Sequence, residues 1–260
     1  MIKDKNTAVI PGIYNYCDSW CERCAFTQQC GAFGFRDEQL PEDDGSDEDE
    51  DVPGVAHTLT VTIDIIDADA EFIMTPEEEE AYEERQYQIR KILRGHILIK
   101  LARKYQEIGK PFINGLFKEA SFNRLSDWKA LREMGILPPR EMKIAVDELV
   151  DCLEVIHWYF YQMEIKIRVA LTCKMEEDES EDSDEQRHYD GIIKVVLLSI
   201  EKTMHAWKMI GEILPGTENG SLDALAALHQ LKIKIIEEFP DAMEFKRPGF
   251  DEDDILDLFQ

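Results

Sequence analysis

Four cysteines within fourteen residues are the part of this chain whose residue types and spacing could most directly do chemistry. Cys17, Cys21, Cys24 and Cys30 follow the spacing C-x3-C-x2-C-x5-C, and the remaining 246 positions hold only two more cysteines. Clustered thiols can form disulfides, act as redox thiols or ligate a metal. Two disulfides inside so short a loop would restrict little of the unfolded chain and would stabilise the fold weakly. We therefore expect the four thiolates to be metal ligands.

The residues around the cysteines also suit a metal centre. A bound cation would hold the thiolates together, and its binding would supply folding energy that so small a module lacks. Apolar side chains on both sides of the cysteines could limit solvent access to the metal. These are Ile10, Ile13, Tyr14, Tyr16, Trp20, Phe26 and Phe33. The sequence predicts a cysteine-rich metal-binding module over residues 1–36.

Zinc and an iron–sulfur cluster both accept four cysteines. Structural zinc usually takes them as two separated C-x2-C pairs, and here only Cys21 and Cys24 form such a pair. A compact series with unequal gaps is closer to a loop that wraps an iron–sulfur cluster. The predicted cofactor is one of two, a [4Fe–4S] cluster or zinc, and redox thiols without a metal are the third possibility.

Two local resemblances concern the cysteines. Cys21-x2-Cys24-x5-Cys30 resembles the last three ligands of the cluster loop in the iron–sulfur DNA glycosylases, whereas Cys17 departs from that pattern because its gap is shorter. The Gly-rich helix-hairpin-helix of those enzymes is absent, so the resemblance implies a cluster and not their activity. The first three cysteines also match the radical-SAM spacing, but nothing downstream alternates strand and helix as that barrel requires.

A third resemblance lies near the C-terminus. The run Phe239-Pro-Asp-Ala through Arg247-Pro-Gly-Phe-Asp-Glu, taken with the N-terminal cysteines, is similar to uncharacterised bacterial proteins with a helical body. This resemblance implies a bacterial, cytoplasmic origin and no particular activity.

The charge of the chain restricts its partners. It has 29 basic and 55 acidic side chains, and its net charge of −26 would repel nucleic acid and anionic membranes. Residues 37–51 contain ten of the acids and residues 176–185 contain eight, with no base in either run. Without these eighteen acids the net charge becomes −8, so both runs are predicted to be solvated linkers.

The hydropathy of the chain predicts its location. No apolar run approaches the ~20 residues of a membrane span, and the first residues lack the apolar region of a signal peptide. We expect a cytoplasmic protein whose partner is another protein, with its oligomeric state left open.

The elements that must position the cysteines are mostly helical. After an acidic linker over residues 37–56, the pattern predicts an all-α body over residues 57–244, with an acidic loop at 175–190. Residues 57–66 alternate apolar and polar side chains and are predicted equally as strand or helix. Thr75 and Glu78 form a capping box that begins a helix, which Gly109 and Pro111 are expected to end. From residue 85 to residue 110 this helix carries eight bases and one acid.

Three further long helices are expected after this basic helix. They cover about 140–174, the stretch from Asp190 to Pro215, and a segment capped by Ser221 that stops before Pro240, with short helices near 112–122 and 126–134. Four long amphipathic helices predict an antiparallel helical bundle. The tail, residues 245–260, mixes acidic with large apolar residues. We expect Phe250, Leu256 and Phe259 to pack on the bundle, with a linear motif for a partner's groove as the alternative.

A second candidate metal site lies on the predicted bundle. Glu154 and His157 have the Glu-x-x-His spacing of di-iron carboxylate proteins, and Glu201 and His205 are the nearest second pair, although their spacing is one residue too long. A Glu and a His four residues apart also fit an ion-paired helix surface. A ferritin-like di-iron oxidase is thus an alternative function.

The sequence lacks the common catalytic motifs. It contains no P-loop, no Rossmann glycine fingerprint, no G-x-S-x-G and no H-E-x-x-H. Whether the protein is an enzyme is left open, with a non-enzyme favoured. The leading hypothesis is a metal-binding helical protein that acts in redox chemistry or electron transfer, or as an interaction scaffold. The third alternative is an adaptor that acts through its basic helix and acidic tail.

Overall fold

The fold is described from a computed structural model, which defines residues 8–33, 75–118, 140–177, 187–214 and 216–251. These ranges are predominantly α-helical and contain no β-strand, which confirms the predicted all-α class. The predictions for residues 57–66 and 126–134 lie outside them. The helices are α1 (Pro76–Gly95), α2 (Ile97–Lys118), α3 (Arg140–Glu177), α4 (His188–Ile213) and α5 (Glu218–Glu238), after three 3-10 turns at Ile13–Tyr16, Cys21–Arg23 and Thr27–Gln29.

Helix α1 begins at the predicted capping box. The N–H of Thr75 donates to Oε2 of Glu78 over 2.7 Å, and the N–H of Glu78 donates to Oγ1 of Thr75 over 3.3 Å. Hydrogen bonding from the backbone N–H of Thr75, and then from its side chain, lowers the pKa of the Glu78 carboxyl group. Each side chain thus accepts a hydrogen bond from a backbone N–H group that has no acceptor inside the helix.

The segment predicted as one basic helix forms two helices, because the helix is interrupted at His96. Helix α1 ends at Gly95 and α2 starts at Ile97. The Nδ1 atom of His96 accepts the N–H of Leu98 over 3.3 Å, so the imidazole caps the start of α2. Sequence periodicity did not reveal this break, since the apolar face continues across it.

The predicted C-terminal end of the basic helix, at Gly109 and Pro111, was wrong. Helix α2 continues past Gly109 and Pro111 to Lys118. A Cβ atom on Gly109 would lie 2.8 Å from Cε2 of Phe160 and 3.6 Å from Cζ2 of Trp207. Gly109 therefore permits close packing of α2 on its neighbours, and it does not end the helix.

The chain divides into two compact units. The first comprises Met1–Gln88 together with Lys246–Gln260, and the second comprises Ile89–Phe245. In the second unit α3 packs on α4, α4 on α5, α5 on α2 and α2 on α3. None of the described helices combines the length and the apolarity that crossing a membrane requires.

An aromatic cluster lies at the centre of the second unit. Trp207 is fully buried, its Nε1–H donates to the hydroxyl of Tyr105 over 3.1 Å, and its ring centroid is 5.0 Å from that of Phe112. Phe160 packs against Tyr105 with centroids 5.4 Å apart. Burial raises the pKa of Tyr105 well above its usual value, so the phenol stays neutral.

Helix α5 differs from its prediction at one end only. It starts at Glu218, with Thr217 in the N-cap position, and Ser221 is buried inside the helix instead of capping it. It ends at Glu238, before Pro240, as predicted. Beyond it, the buried Lys194 of α4 donates from Nζ to the carbonyl of Phe245 over 2.6 Å, which fixes the last residue of the second unit.

Candidate metal centre

The 3-10 turns of the N-terminal segment place the four cysteines at their ends. Cys17 follows the first turn, Cys21 begins the second, and Cys24 and Cys30 follow the second and third. The N–H of Cys24 donates to the carbonyl of Cys21 over 3.2 Å, which closes the C-x2-C pair into one turn. Gly12, with φ of 73°, occupies the left-handed conformation from which the first turn starts.

All four cysteines line one cavity. The cavity is partly open to solvent. The four cysteine side chains therefore border a common space. The other lining residues are Ile13, Tyr14, Asp18, Ser19, Trp20, Phe26, Thr27, Phe33 and Phe250.

Most of the apolar residues that were predicted to surround the metal site line the cavity. Five of the seven residues expected to shield the site line the cavity, and Ile10 and Tyr16 are not among its lining residues. The guanidinium of Arg23 lies over the ring of Trp20, 4.1 Å from the ring centroid. Such a wall limits the access of water to the sulfurs.

Two of the sulfur atoms accept backbone hydrogen bonds from residues two positions later. The N–H of Ser19 donates to Sγ of Cys17, and the N–H of Phe26 donates to Sγ of Cys24, each over 3.4 Å. Donors of this kind stabilise the negative charge of a thiolate ligand and tune a bound metal. As a thiol, Cys17 also donates to the carbonyl of Tyr14 over 3.4 Å.

Ser19 has an unusual backbone conformation for its residue type. Its φ is 56°, in the left-handed region, and it is the only non-glycine residue with positive φ in the described ranges. The carboxylate of Asp18 accepts the N–H of Trp20 over 3.3 Å, which supports the turn on the other side of Ser19. Strained backbone of this kind persists where surrounding groups determine it, and it concentrates at functional sites.

The electrostatics of the site disfavour a bare thiolate at Cys24. Burial raises the pKa of Cys24, and the nearby Cys17, Asp18 and Cys30 raise it further, while the N–H of Phe26 acts in the opposite direction. Several negative groups around one cavity repel one another, and a bound cation would reverse that repulsion.

The donor set fits the predicted metals. Four cysteine sulfurs with an apolar wall and backbone N–H donors are the ligands that zinc and iron–sulfur clusters use. No disulfide joins any of the six cysteines, all of which lie in described ranges. In the described part of the chain, no three His, Cys, Asp or Glu side chains are gathered closely enough to hold a metal ion as they stand. Coordination is therefore proposed below and not observed.

The residues of the predicted di-iron site do not form a cluster. Glu154, His157, Glu201 and His205 are all exposed on α3 and α4. Glu201 forms an ion pair with Lys232 of α5. Their surroundings are those of a polar helix surface, and the second site stays a prediction without geometric support.

The two cysteines outside the module both lie on α3. Cys152 is buried on α3, and burial raises the pKa of its thiol to about 11. Cys173 is half-buried on the same helix. A thiol held protonated in this way is a poor nucleophile and a poor ligand.

Sequence reasoning missed four of the residues that line the cavity, which are Asp18, Ser19, Thr27 and Phe250. Phe250, which was expected to pack on the bundle, lies against Phe26 with ring centroids 5.0 Å apart and planes at 75°. The surrounding Arg-Pro-Gly-Phe-Asp sequence could have indicated a tight turn, but nothing local indicates which part of the protein that turn contacts. Leu256 and Phe259 lie outside the described residues.

Comparisons of this chain with protein-family models, curated proteins and solved structures found no match. The resemblances stated for the cysteine spacing and for residues 239–252 therefore stay predictions.

Proposed function

We propose that Cys17, Cys21, Cys24 and Cys30 bind a metal centre, a [4Fe–4S] cluster in the first place and zinc in the second. The observation that carries the proposal is that all four side chains border one cavity. The unequal cysteine gaps favour a cluster over zinc.

The chain's own groups have definite roles in this proposal. The cysteines ligate, the N–H groups of Ser19 and Phe26 stabilise two of the thiolates, and the aromatic wall limits solvent access. A bound cluster would supply one-electron redox chemistry, whereas zinc would supply folding energy. Because thiolates must stay reduced to ligate, we place the protein in the cytoplasm.

We also infer that α2–α5 form an antiparallel bundle that serves as a scaffold. The support is that each of these helices packs on two of the others. The bases Arg90, Lys91, Arg94 and Lys100 are exposed along α1 and α2 of an acidic chain, so an acidic protein surface is the kind of partner such a scaffold would hold.

The proposed function is tested by purifying the full chain without oxygen and measuring metal content and the visible absorption spectrum of the same sample. About four irons per chain with a visible charge-transfer band are expected for a cubane cluster, and about one zinc without colour for the second candidate. Both properties should disappear when all four module cysteines are changed to serine. The matched control is Cys152→Ser with Cys173→Ser, which should retain the metal.

Two results would overturn the proposal. One is wild-type protein that contains no metal under these conditions. The other is undiminished metal in the variant that lacks all four module cysteines.

A further inference from the structure

Residues 247–251 form a closed turn, here called the C-terminal clip. The N–H groups of Phe250 and Asp251 both donate to the carbonyl of Arg247 over 3.1 Å. The carboxylate of Asp251 accepts three hydrogen bonds from Arg247, from its backbone N–H over 3.0 Å, from Nε over 3.0 Å and from Nη2 over 2.9 Å. Backbone and side-chain hydrogen bonds thus stabilise the clip together.

The ion pair inside the clip is largely removed from water. The side chain of Arg247 is 15% exposed and that of Asp251 is 18% exposed. A forked guanidinium–carboxylate contact in such surroundings is stronger and more directional than an exposed ion pair. The turn is therefore held in a defined shape by its own hydrogen bonds.

The clip lies against the cysteine module of the same unit. A Cβ atom on Gly249 would lie 2.9 Å from Cδ1 of Ile10 and 3.0 Å from Cδ1 of Ile13, and the φ of Gly249 is +74°. Glycine is required there both for the backbone conformation and for the close approach. The clip is thus fitted to the surface of the module.

The shape of the clip determines where Phe250 lies. The guanidinium of Arg247 is 4.8 Å from the centroid of the Phe250 ring, and the edge of that ring meets Phe26. Phe250 lines the cavity together with all four cysteines. The neighbour it contacts, Phe26, is also the residue whose N–H donates to Cys24.

We propose that the C-terminal clip is a latch on the metal centre: Phe250 closes one side of the cysteine cavity, and the Arg247–Asp251 pair holds it there. The rate at which metal leaves the site is then set by opening of the clip. This inference rests on the proposed function, since a latch needs a metal to retain. Its physical basis is that a chelator, like water or oxygen, must reach the sulfurs through the apolar wall, and Phe250 is the part of that wall contributed from near the other end of the chain.

The test uses the full chain with Co²⁺ as the probe, because cobalt bound by thiolates is coloured. Apo-protein is loaded without oxygen, excess EDTA is added, and the loss of the thiolate–cobalt absorption is followed over time. The variants are Phe250→Ala, Phe250→Leu, Arg247→Ala and Asp251→Asn. The control is Met243→Ala, which removes a side chain that is 50% exposed in the second unit.

The latch predicts equal cobalt loading and an unchanged initial spectrum in all five variants. Release should be about tenfold or more faster for Phe250→Ala, Arg247→Ala and Asp251→Asn, the scale found when groups that support metal ligands are removed. Phe250→Leu should be intermediate, and Met243→Ala should match the wild type.

Wild-type release rates in fully loaded Phe250 and Arg247 variants would overturn the latch and leave the proposed function standing. If wild-type protein neither took up Co²⁺ nor contained iron or zinc after purification without oxygen, the proposed function would fail and the latch with it. Should Phe250→Ala fail to load, Phe250→Leu and Asp251→Asn decide the question by the same comparison.

Discussion

The backbone N–H of Phe26 donates to the sulfur of Cys24 over 3.4 Å. Ser19 stands in the same relation to Cys17. In both cases the donor lies two residues after the cysteine, so the local turn that positions the sulfur also supplies its hydrogen bond. If these sulfurs ligate a metal as proposed, ligation is coupled to the backbone conformation of the module, and a change of conformation should be measurable as a change of metal affinity.

Ser19 offers a direct test of that coupling. Its φ of 56° suits glycine and strongly disfavours a β-branched residue. Because the module is expected to fold on binding, backbone strain should be observed as weaker binding. We expect Ser19→Gly to keep metal affinity within about threefold of wild type and Ser19→Val to weaken it about tenfold or more, since left-handed backbone costs about 1–2 kcal/mol. Competition titrations with a coloured chelator measure both, and equal affinities for the two variants would refute this account of Ser19.

Two glycines of α2 should respond oppositely to the same substitution. An added Cβ at Gly109 would lie 2.8 Å from the buried Phe160 ring, whereas one at Gly115 would have no atom within 4 Å. Gly115→Ala should raise the free energy of unfolding by about 0.5–1 kcal/mol through helix propensity. Gly109→Ala should lower it by about 1–3 kcal/mol because overpacking outweighs that gain. Urea denaturation measures both, and stabilisation by Gly109→Ala would show that α2 and α3 are not this close.

The buried Trp207–Tyr105 hydrogen bond should be costly to break from one side. Tyr105→Phe leaves the Nε1–H of the fully buried Trp207 without this acceptor, at a cost of about 1–3 kcal/mol. Tyr87 is 54% exposed, so Tyr87→Phe should change stability by less than about 0.5 kcal/mol. The midpoints of urea unfolding compare the two variants. Equal midpoints would argue against a buried bond at Trp207.

The cap at His96 should make stability depend on pH. Burial lowers the pKa of His96 below its usual 6.5, Lys174 of α3 lowers it further, and Glu238 of α5 acts in the opposite direction. The unfolded chain therefore binds a proton more readily than the folded one. The contribution of His96 is fully present above its unfolded pKa and is lost as the pH falls through its folded pKa. Protonation of Nδ1 also removes the acceptor for the N–H of Leu98.

His96→Asn retains a capping side chain but cannot titrate in this range. We expect the decline in unfolding free energy between about pH 7.5 and pH 5 to be shallower in His96→Asn than in wild type. His205→Asn, at an exposed position, should keep the wild-type slope. A His96→Asn slope equal to that of wild type would exclude His96 as the titrating cap.

Local chemistry was the part of this protein that the sequence could predict. The capping box at Thr75 and Glu78 needs only neighbours along the chain, and its two hydrogen bonds are present as expected. The four cysteines border one cavity, as their closeness within fourteen residues allows, and their role as metal ligands stays a prediction. The all-α class followed from periodicity, which reports on each helix separately.

Contacts between distant residues were the part it could not predict. Gly109 and Pro111 are ordinary helix-ending residues, and only the proximity of Phe160 on α3 explains why a glycine is needed inside α2. Similarly, Phe250 has an apolar side chain that several surfaces could accommodate, and its place beside Phe26 depends on three-dimensional packing. The spacing of Glu154 and His157 has the same limit, because spacing alone does not say which face of α3 is buried.

The central claim is that the four module cysteines hold the metal, and X-ray absorption at the metal edge tests it most directly. The full chain, purified without oxygen, should give an extended spectrum dominated by sulfur scatterers at about 2.3 Å, four per metal atom. For a cluster, iron neighbours should appear in addition. A first shell made of nitrogen and oxygen, or sulfur scattering that persists when Cys17, Cys21, Cys24 and Cys30 are all serine, would contradict the account.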